Sequence, residues 1–279
     1  MKKNKRIIST MIVFILSLCL FSGCGSKEEV SDTAQFIKDK TLVVAIDNTY
    51  PPMEYVNKEG KTVGFDIELA KAIGKKMGRE VEFINVGWDG IFAGLDSEKY
   101  DLVISSVGIN KDRQEQLALS NPYLANQQVI ISAKDGKQIK SVDELNGKTV
   151  AVQVSTTSDA TCQYYLSQGI EFDLRQFDGM TEAFVALEGG SVDCVVTDLV
   201  VGEYYVHNNS QKFIKTCDKL TNEPIAIAAK KSNQPLIEEI NKILDELKEE
   251  GTISNISKDV FGKDLTQNID TTIKGYDEQ

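Results

Sequence analysis

The stretch DLVISSVGINKDR, residues 101–113, joins a short apolar run to a polar loop that contains an arginine. The run Leu102–Ser105 has the length and composition of a buried strand. In open α/β sheets, ligands bind in the crevice outside the carboxyl ends of the strands, which is where this polar loop would lie. The stretch therefore predicts an α/β sheet with a binding site at its strand ends.

The residues before this stretch alternate between strand and helix patterns. Apolar runs at Thr41–Ile46 and Val81–Ile84 predict two strands. Asp66–Met77 carries apolar residues on one helical face and is followed by a glycine, and a short helix is predicted over Asp89–Leu95. This βαβαβ order predicts a mostly parallel sheet with right-handed crossovers.

The same alternation restarts in the second half of the chain. Further strands are predicted at Thr149–Val152, Glu171–Phe177, Val192–Val196 and Ile225–Ala229, and further helices at Thr157–Gln168, Met180–Glu188, Leu199–Val206, Pro235–Glu250 and Ile253–Phe261. An extra strand and two helices after the second unit predict that the chain returns to the first. The two crossings would form a hinge near Gln128–Ser132 and Thr221–Ile227.

We therefore expect an α/β fold with two lobes, each a mainly parallel sheet flanked by helices, and a ligand cleft at a two-strand hinge. Lobe 1 would comprise residues 39–129 and 226–279, and lobe 2 would comprise residues 130–225.

The N-terminal residues have the order of an export signal. Four basic residues precede the apolar run Ile7–Phe21, and small residues then lead to Cys24. Residues 20–24, LFSGC, resemble a bacterial lipobox, which implies a lipoprotein signal peptide over residues 1–23 and lipidation, including palmitate, at Cys24. Residues 24–38 are polar and charged, which predicts a flexible tether. The body would then lie on the extracellular face of the bacterial cell membrane; an uncleaved N-terminal anchor is the alternative.

The charge balance excludes two classes of partner. Loss of residues 1–23 would remove four of the 31 basic residues and none of the 42 acidic ones, leaving a net charge of −15. Nucleic acids and anionic membrane surfaces are bound through basic patches, so neither is expected as a partner. A cationic or zwitterionic ligand is compatible with this charge.

Cysteine and histidine usage predicts no metal or cofactor. Cys162, Cys194 and Cys217 are the cysteines beyond the lipobox, and none forms a CxxC motif. The sequence does not decide whether Cys162 and Cys217 form a disulfide. The single histidine, His207, is expected at a helix end on the surface, whereas zinc sites and acyl-transfer triads usually use histidine.

Polar side chains at the predicted strand ends could pair with the two charged groups of a free amino acid. Such a ligand presents a carboxylate and an ammonium, and burying either without a partner is costly. Arg113 can bind a carboxylate through two parallel N–H bonds. Thr157 and Ser158 begin a predicted helix, where free N–H groups and the helix dipole favour an anion. Asp198 can accept the ammonium.

The chain resembles the extracellular solute-binding proteins of family 3, which serve polar amino acid ABC importers. The resemblance covers about residues 40 to 262 and depends on these segments: DNTYPPMEY at 47–55, GFDIELAKAI at 64–73, VGWDGIFAGL at 86–95, ISSVGINKDRQ at 104–114, LNGKTVAVQVSTTSD at 145–159, CVVTD at 194–198 and GTISNISKDVFG at 251–262. It implies a type II periplasmic-binding-protein-like fold.

The strand-end positions and the resemblance together give the residues predicted to contact the ligand. They are Asp47, Tyr50, Trp88, Ser105, Ser106, Gly108, Arg113, Thr156, Thr157, Ser158 and Asp198. Ser105, Thr156 and Ser158 follow from position alone. Tyr50 and Trp88 match aromatic walls, Arg113 and Thr157 match carboxylate-binding positions, and Asp198 matches the ammonium-binding acid. Gly108 stands where some relatives carry serine. Asp47 and Asp66 match acidic positions that approach basic ligand side chains; a structural role in the nearby loop is the alternative for both.

The function implied is high-affinity extracellular capture of a free polar amino acid and its delivery to an ABC importer in the membrane. The chain would act as a monomer, without a cofactor and not as an enzyme. Arginine or lysine is favoured as ligand, with cystine and glutamine open. The alternatives are an enzyme of the same fold, resembling cyclohexadienyl dehydratase, and a ligand-sensing module for a receptor.

Overall fold

Two five-stranded sheets, each flanked by helices, form the body of the protein in the computed structural model, which describes residues 41–275. This arrangement confirms the predicted fold class. The predicted signal peptide (residues 1–23), the tether (residues 24–38) and Cys24 lie outside the described residues.

The elements are numbered in chain order within the described residues. The strands are Leu42–Ile46 (β1), Thr49–Tyr50 (β2), Glu54–Val56 (β3), Thr62–Val63 (β4), Val81–Asn85 (β5), Leu102–Gly108 (β6), Leu117–Leu119 (β7), Gln128–Ala133 (β8), Thr149–Gln153 (β9), Asp173–Phe177 (β10), Cys194–Asp198 (β11), Phe213–Cys217 (β12) and Ile225–Lys230 (β13). The helices are Phe65–Met77 (α1), Ile91–Asp96 (α2), Lys111–Gln116 (α3), Thr157–Ser167 (α4), Met180–Glu188 (α5), Leu199–Asn208 (α6), Gln234–Glu249 (α7) and Thr252–Phe261 (α8).

The first lobe is built on a sheet with strand order β5-β1-β6-β13-β7. Strands β5, β1 and β6 are parallel, whereas β13 runs antiparallel between β6 and β7. All seven residues of β6 are buried, as expected for a central strand that is covered on both faces. Six apolar residues of α7, spaced along one helical face, are buried as well.

The second lobe repeats this design with strand order β10-β9-β11-β8-β12. Strands β10, β9 and β11 are parallel, and β8 and β12 add an antiparallel half. The carboxyl ends of β9 and β11 bring the loops after Gln153 and Asp198 to one edge of this sheet. The corresponding ends of β1 and β6 lie at one edge of the first sheet, so each lobe presents its polar strand ends to the cleft.

Two chain segments connect the lobes and run side by side. The Glu223 N–H donates to the Asn126 carbonyl at 3.1 Å, and Leu124 forms an isolated bridge with Ile225. The first two residues of β8, which the sequence analysis placed in lobe 1, already pair with β11 of the second sheet. The expected hinge range Gln128–Ser132 is therefore strand, because its backbone is held in this ladder. Ile225, placed in lobe 2, begins β13 of the first sheet.

Three further observations bear on function. The thiols of Cys162, Cys194 and Cys217 are all free, and the first two are buried. Within residues 41–275, no group of three His, Cys, Asp or Glu side chains is placed to hold a metal ion. In the same range, none of the helices has the length and apolar character needed to cross a membrane.

Candidate functional site

The strand-end loops of both lobes enclose a small pocket. It is lined by Asp47, Tyr50, Trp88, Ser105, Ser106, Arg113, Gln153, Thr156, Thr157 and Asp198. Nine of the eleven residues predicted to contact a ligand therefore lie around one pocket. The other two lie just behind it: Gly108 contributes its carbonyl to Arg113, and the Ser158 hydroxyl donates to the Gln128 side-chain carbonyl.

Asp198 is held at the pocket by donors from both lobes. The Tyr50 hydroxyl donates to Asp198 Oδ2 at 2.8 Å, and Oδ1 accepts from Asn126 Nδ2 at 2.7 Å and from Gln128 Nε2 at 2.6 Å. Burial raises the pKa of Asp198, while these hydrogen bonds and the charge of Arg113 oppose that rise. The carboxylate is thus oriented and ready to accept a cationic group.

Arg113 is fixed by its own helix and by aromatic rings. The Asn110 side chain caps α3 by accepting from the Arg113 N–H at 2.8 Å, and Arg113 Nη1 donates to the Gly108 carbonyl at 2.8 Å. The centre of the guanidinium lies 5.2 Å from the ring centroids of both Trp88 and Phe92. Burial lowers the pKa of Arg113, and nearby acidic side chains oppose this effect. An oriented, buried guanidinium of this kind suits bidentate binding of a carboxylate.

Helix α4 begins at the same pocket. Thr156 is its N-cap, and its hydroxyl accepts from the Asp159 N–H at 3.2 Å. The preceding Ser155 has a positive φ of 61°, and its carbonyl accepts from Trp88 Nε1 at 3.0 Å across the cleft. The first turn of the helix starts at Thr157, where unpaired N–H groups and the helix dipole favour an anion.

Asp47 is a second acidic residue that lines the pocket. Its Oδ1 accepts from the N–H and hydroxyl of Thr49 at 3.2 and 2.7 Å, and its Oδ2 accepts from Gln153 Nε2 at 2.6 Å. Burial raises its pKa, and these hydrogen bonds lower it. Sequence reasoning missed Gln153 as a site residue. Its position as the last residue of β9 is the signal that would have found it.

Ser105 and Ser106 form one wall of the pocket, and the backbone of this wall is held by residues that do not line the pocket. Ser106 has a positive φ of 50°, and the pairing of β6 with β13 shifts register beside it, which is how a bulge redirects a strand. Its N–H donates to Asp66 Oδ2 at 2.7 Å. Within the described residues, the buried Ser106 hydroxyl has no hydrogen-bond partner.

The structure places Asp66 outside the pocket. Its two oxygens accept from the Ser106 N–H and, at 2.7 Å, from the Tyr123 hydroxyl. Glu54 lies beside it and accepts from the Ser105 hydroxyl at 2.6 Å. Of the two readings given for Asp66, this geometry favours the structural one, because the carboxylate fixes the backbone of the serine wall.

Comparison with known proteins gives one family. The family profile described as bacterial extracellular solute-binding proteins, family 3, matches residues 42–263. The L-cystine-binding protein TcyA of Bacillus subtilis (strain 168) is 30% identical over 276 residues, covering 95% of this chain and 100% of TcyA.

Solved structures of amino acid-binding proteins are also similar to this chain. An ancestral arginine-binding protein bound to arginine is 40% identical with a TM-score of 0.76, covering 80% of this chain and 98% of that one. The ancestral amino acid-binding protein AncCDT-1, described as a precursor of cyclohexadienyl dehydratase, is 34% identical with a TM-score of 0.76, covering 83% of this chain and 100% of that one.

Proposed function

Because this chain belongs to the bacterial extracellular solute-binding proteins of family 3, we propose that it captures one free amino acid between its lobes and delivers it to an ABC importer. The observation that carries this proposal is the placement of Arg113 and Asp198 on one pocket, each from a different lobe. A zwitterion needs both signs of charge, and this pocket supplies both.

The ligand carboxylate would bind Arg113 and the first turn of α4, and the ligand ammonium would bind Asp198. The side chain of the ligand would then extend between Tyr50 and Trp88 towards Asp47. The hydrogen bonds from Asn126 and Gln128 orient Asp198 independently of Tyr50 on the other lobe, which lowers the cost of ordering the site.

For the ligand, we favour a basic amino acid such as arginine or lysine over cystine and glutamine. Of the residues that line the pocket, one is basic and two, Asp47 and Asp198, are acidic. A zwitterion would occupy Arg113 and Asp198 and leave Asp47 for a cationic side chain. The relatives support both a basic ligand and cystine, since one binds arginine and another is named for cystine.

Capture would favour a closed arrangement of the lobes. Arg113 belongs to the first lobe, whereas Thr157 and Asp198 belong to the second, so both charged ends of the ligand are paired only when the lobes meet. A ligand shifts a conformational equilibrium by its difference in affinity for the two states. The closed form would also present the surface that the importer recognises.

The cellular setting is part of the same proposal. We infer that Cys24 carries the lipid that anchors the monomeric protein to the outer face of the cell membrane. Mass spectrometry of the processed protein should find an acylated cysteine at its N-terminus, and replacing Cys24 with alanine should release the protein from membranes. Recovery of an unprocessed N-terminus in the membrane fraction would favour an uncleaved anchor.

A thermal-shift screen against all common amino acids and cystine tests the function. The purified protein is first unfolded and refolded to remove any ligand carried through purification. A ligand with micromolar Kd at millimolar concentration should stabilise the protein by about 4 kcal/mol, which is a shift of several degrees. A shift with one amino acid or a related group supports capture, whereas no shift with any of them contradicts it.

An enzyme in the same cleft is the second candidate, because burial raises the pKa of both Asp47 and Asp198, as a general acid requires. The solved neighbour described as a precursor of a dehydratase is itself described as amino acid-binding. A turnover assay with prephenate-like acids separates the two candidates, and release of water from such a substrate would favour the enzyme.

A further inference from the structure

Glu223 is a buried acid behind the pocket that no sequence motif indicated. It lies on the second segment between the lobes, and its side chain is 2% exposed. It does not line the pocket, yet its surroundings include groups from both lobes and from the other connecting segment.

Gly108 leaves the space that the Glu223 carboxyl group occupies. A Cβ atom at position 108 would lie 3.3 Å from Glu223 Oε2 and 3.6 Å from Arg113 Nη1. The carboxyl group of Glu223 and the guanidinium of Arg113 therefore flank the same face of β6. A serine at this position, as some relatives carry, would crowd Glu223.

Gln128 connects Glu223 to the ligand-facing groups of the second lobe. Its Nε2 atom lies 3.5 Å from Glu223 Oε2, 2.6 Å from Asp198 Oδ1 and 3.1 Å from the Thr157 hydroxyl oxygen. Gln128 is fully buried, so these polar groups have little access to solvent. A change of charge at Glu223 would therefore alter the electrostatic environment of both Thr157, at the proposed carboxylate site, and Asp198, at the proposed ammonium site.

The balance of charge here becomes unfavourable when a ligand carboxylate arrives. Among the carboxylates, Glu223 and Asp198 already have the largest electrostatic effects on the pKa of Arg113, and Asp112 has a smaller one. The ligand adds a further negative charge beside the same guanidinium. Like charges in a buried site disfavour each other's ionised forms, so a proton is expected to bind to one of the acids.

Glu223 is better placed than Asp198 to take that proton. Asp198 accepts three hydrogen bonds and would also face the ligand ammonium, and both effects keep it ionised. The groups that face Glu223 are Arg113, Asp198, Gln128 and the hydroxyls of Thr157 and Thr221. Burial raises the pKa of Glu223 most; Thr157 lowers it, Asp198 raises it, and Arg113 and Thr221 lower it.

We propose that Glu223 is a positioning residue that holds Gln128 and Thr157 by hydrogen bonds, acts on Arg113 through its charge, and takes up one proton from solvent when the ligand binds. The proton returns to solvent when the ligand leaves. This inference rests on the proposed amino acid capture, and it adds that capture is coupled to pH through an acid that does not touch the ligand.

Calorimetric titration in buffers of different ionisation enthalpy measures this proton directly. The wild-type protein is titrated from pH 5.5 to 7.5, where the α-ammonium of the free ligand stays largely protonated, with the amino acid that gives the largest thermal shift. We expect net proton uptake that approaches one per ligand at the upper end of this range. The Kd should rise there by up to about tenfold per pH unit.

The E223Q variant should still bind, but its proton uptake and the pH dependence of its Kd should be lost. D47N is the matched control, because it removes another buried acid, from the pocket itself, and should keep the uptake even if its affinity falls. Difference infrared spectroscopy of the wild type gives a readout that needs no variant: ligand should produce a protonated carboxyl band.

Ligand binding by the wild type without proton uptake at any pH, or uptake that persists in E223Q, would overturn the inference. So would loss of the uptake in D47N alone. These outcomes differ from failure of the proposed function, in which the wild type binds no amino acid at all.

Discussion

Arg113 and Asp198 meet at one pocket although 85 residues separate them in the chain. Each is held by neighbours that come from the surrounding fold: Asn110 and two aromatic rings fix the arginine, and Tyr50 with two amides fixes the aspartate. Oriented groups of opposite sign, one on each lobe, suit the two charged ends of a zwitterion.

Replacing Arg113 with alanine should weaken ligand binding by about two to four decades in Kd. The ligand carboxylate would be left buried and unpaired, which costs roughly 3–5 kcal/mol. Calorimetric titration checks this, with Arg175→Ala as the control, because Arg175 lies on an exposed edge of the second lobe. An R113A variant that binds within threefold of the wild type would remove Arg113 from the site.

The buried acid pair behind the serine wall should make folding pH-dependent. Burial raises the pKa of Asp66 to about 6 and, with the neighbouring charge of Asp66, raises that of Glu54 well above its usual value. The folded protein then binds more protons than the unfolded chain between pH 4 and 6. The free energy of unfolding should therefore fall as pH rises through this window, by about 3 kcal/mol for Asp66.

Denaturant unfolding of wild type and D66N at several pH values measures that slope. The variant keeps an acceptor for the Ser106 N–H and lacks the titrating group, so its stability should depend less on pH. Curves for the two proteins that stay parallel from pH 4 to 7 would show that Asp66 does not carry the effect.

Charged and aromatic site residues were predictable from sequence, whereas the groups that hold them were not. Arg113 and Asp198 follow apolar strands and carry the charges that a zwitterion needs. Gln128 and Glu223 give no comparable signal, because an amide at a strand end or an acid in a connecting segment is usually a surface residue. Their roles depend on contacts between segments that are distant in the chain.

At the scale of elements, helix α1 begins after a residue whose backbone conformation favours glycine. Gly64 has φ 138° and ψ −180°, a region that only glycine adopts readily, and a Cβ there would lie 2.2 Å from the Met53 carbonyl oxygen. The turn brings α1, with Asp66 in its first turn, against the strand that carries the serine wall. The segment GFDIELAKAI thus has a structural reason for its first residue.

Replacing Gly64 with alanine should destabilise the protein by about 3 kcal/mol or more, through both the backbone strain and the clash with Met53. Gly60→Ala is the matched control. Gly60 also has a positive φ, but a Cβ there meets no atom within 4 Å, so its cost should be about 1–2 kcal/mol. Equal unfolding free energies for the two variants would contradict this explanation.

The sequence predicted the parallel halves of both sheets and their helices, and it missed most antiparallel strands. Apolar runs located β1, β6, β9 and β11, because these strands are mostly buried, and β5 at the sheet edge, although none of its residues is fully buried. Phe213–Cys217 is mostly half-buried and mixes polar with apolar residues, so no clear period marks it. The sequence predicted a hinge near Gln128–Ser132, since nothing local shows that β11 and β12 flank this segment.

At the scale of the whole molecule, the lobes meet around the pocket through hydrogen bonds from three pairs. They are Tyr50 with Asp198, Gln153 with Asp47, and Trp88 with Ser155. Residues 41–275 contain other contacts between lobes, such as the ion pair of Lys263 with Glu203 at 2.7 Å, but that pair is exposed and contributes little. The three pairs around the pocket, by contrast, involve buried side chains.

Ligand binding should make the protein more compact in solution. The two connecting segments run side by side and form a narrow hinge, and a ligand that bridges the lobes favours the arrangement in which they meet. Small-angle X-ray scattering should show a smaller radius of gyration with ligand than without it. The R113A variant at the same ligand concentration is the control and should show no change; identical wild-type curves with and without bound ligand would contradict closure.

The central claim is that one free amino acid bridges Arg113 and Asp198, and a crystal structure of the protein with its strongest thermal-shift ligand tests it most directly. We expect the ligand carboxylate within hydrogen-bonding distance of the Arg113 guanidinium and the first turn of α4, and the ligand ammonium within hydrogen-bonding distance of Asp198. A ligand bound elsewhere, or bound in the pocket with its carboxylate turned away from Arg113, would contradict the account.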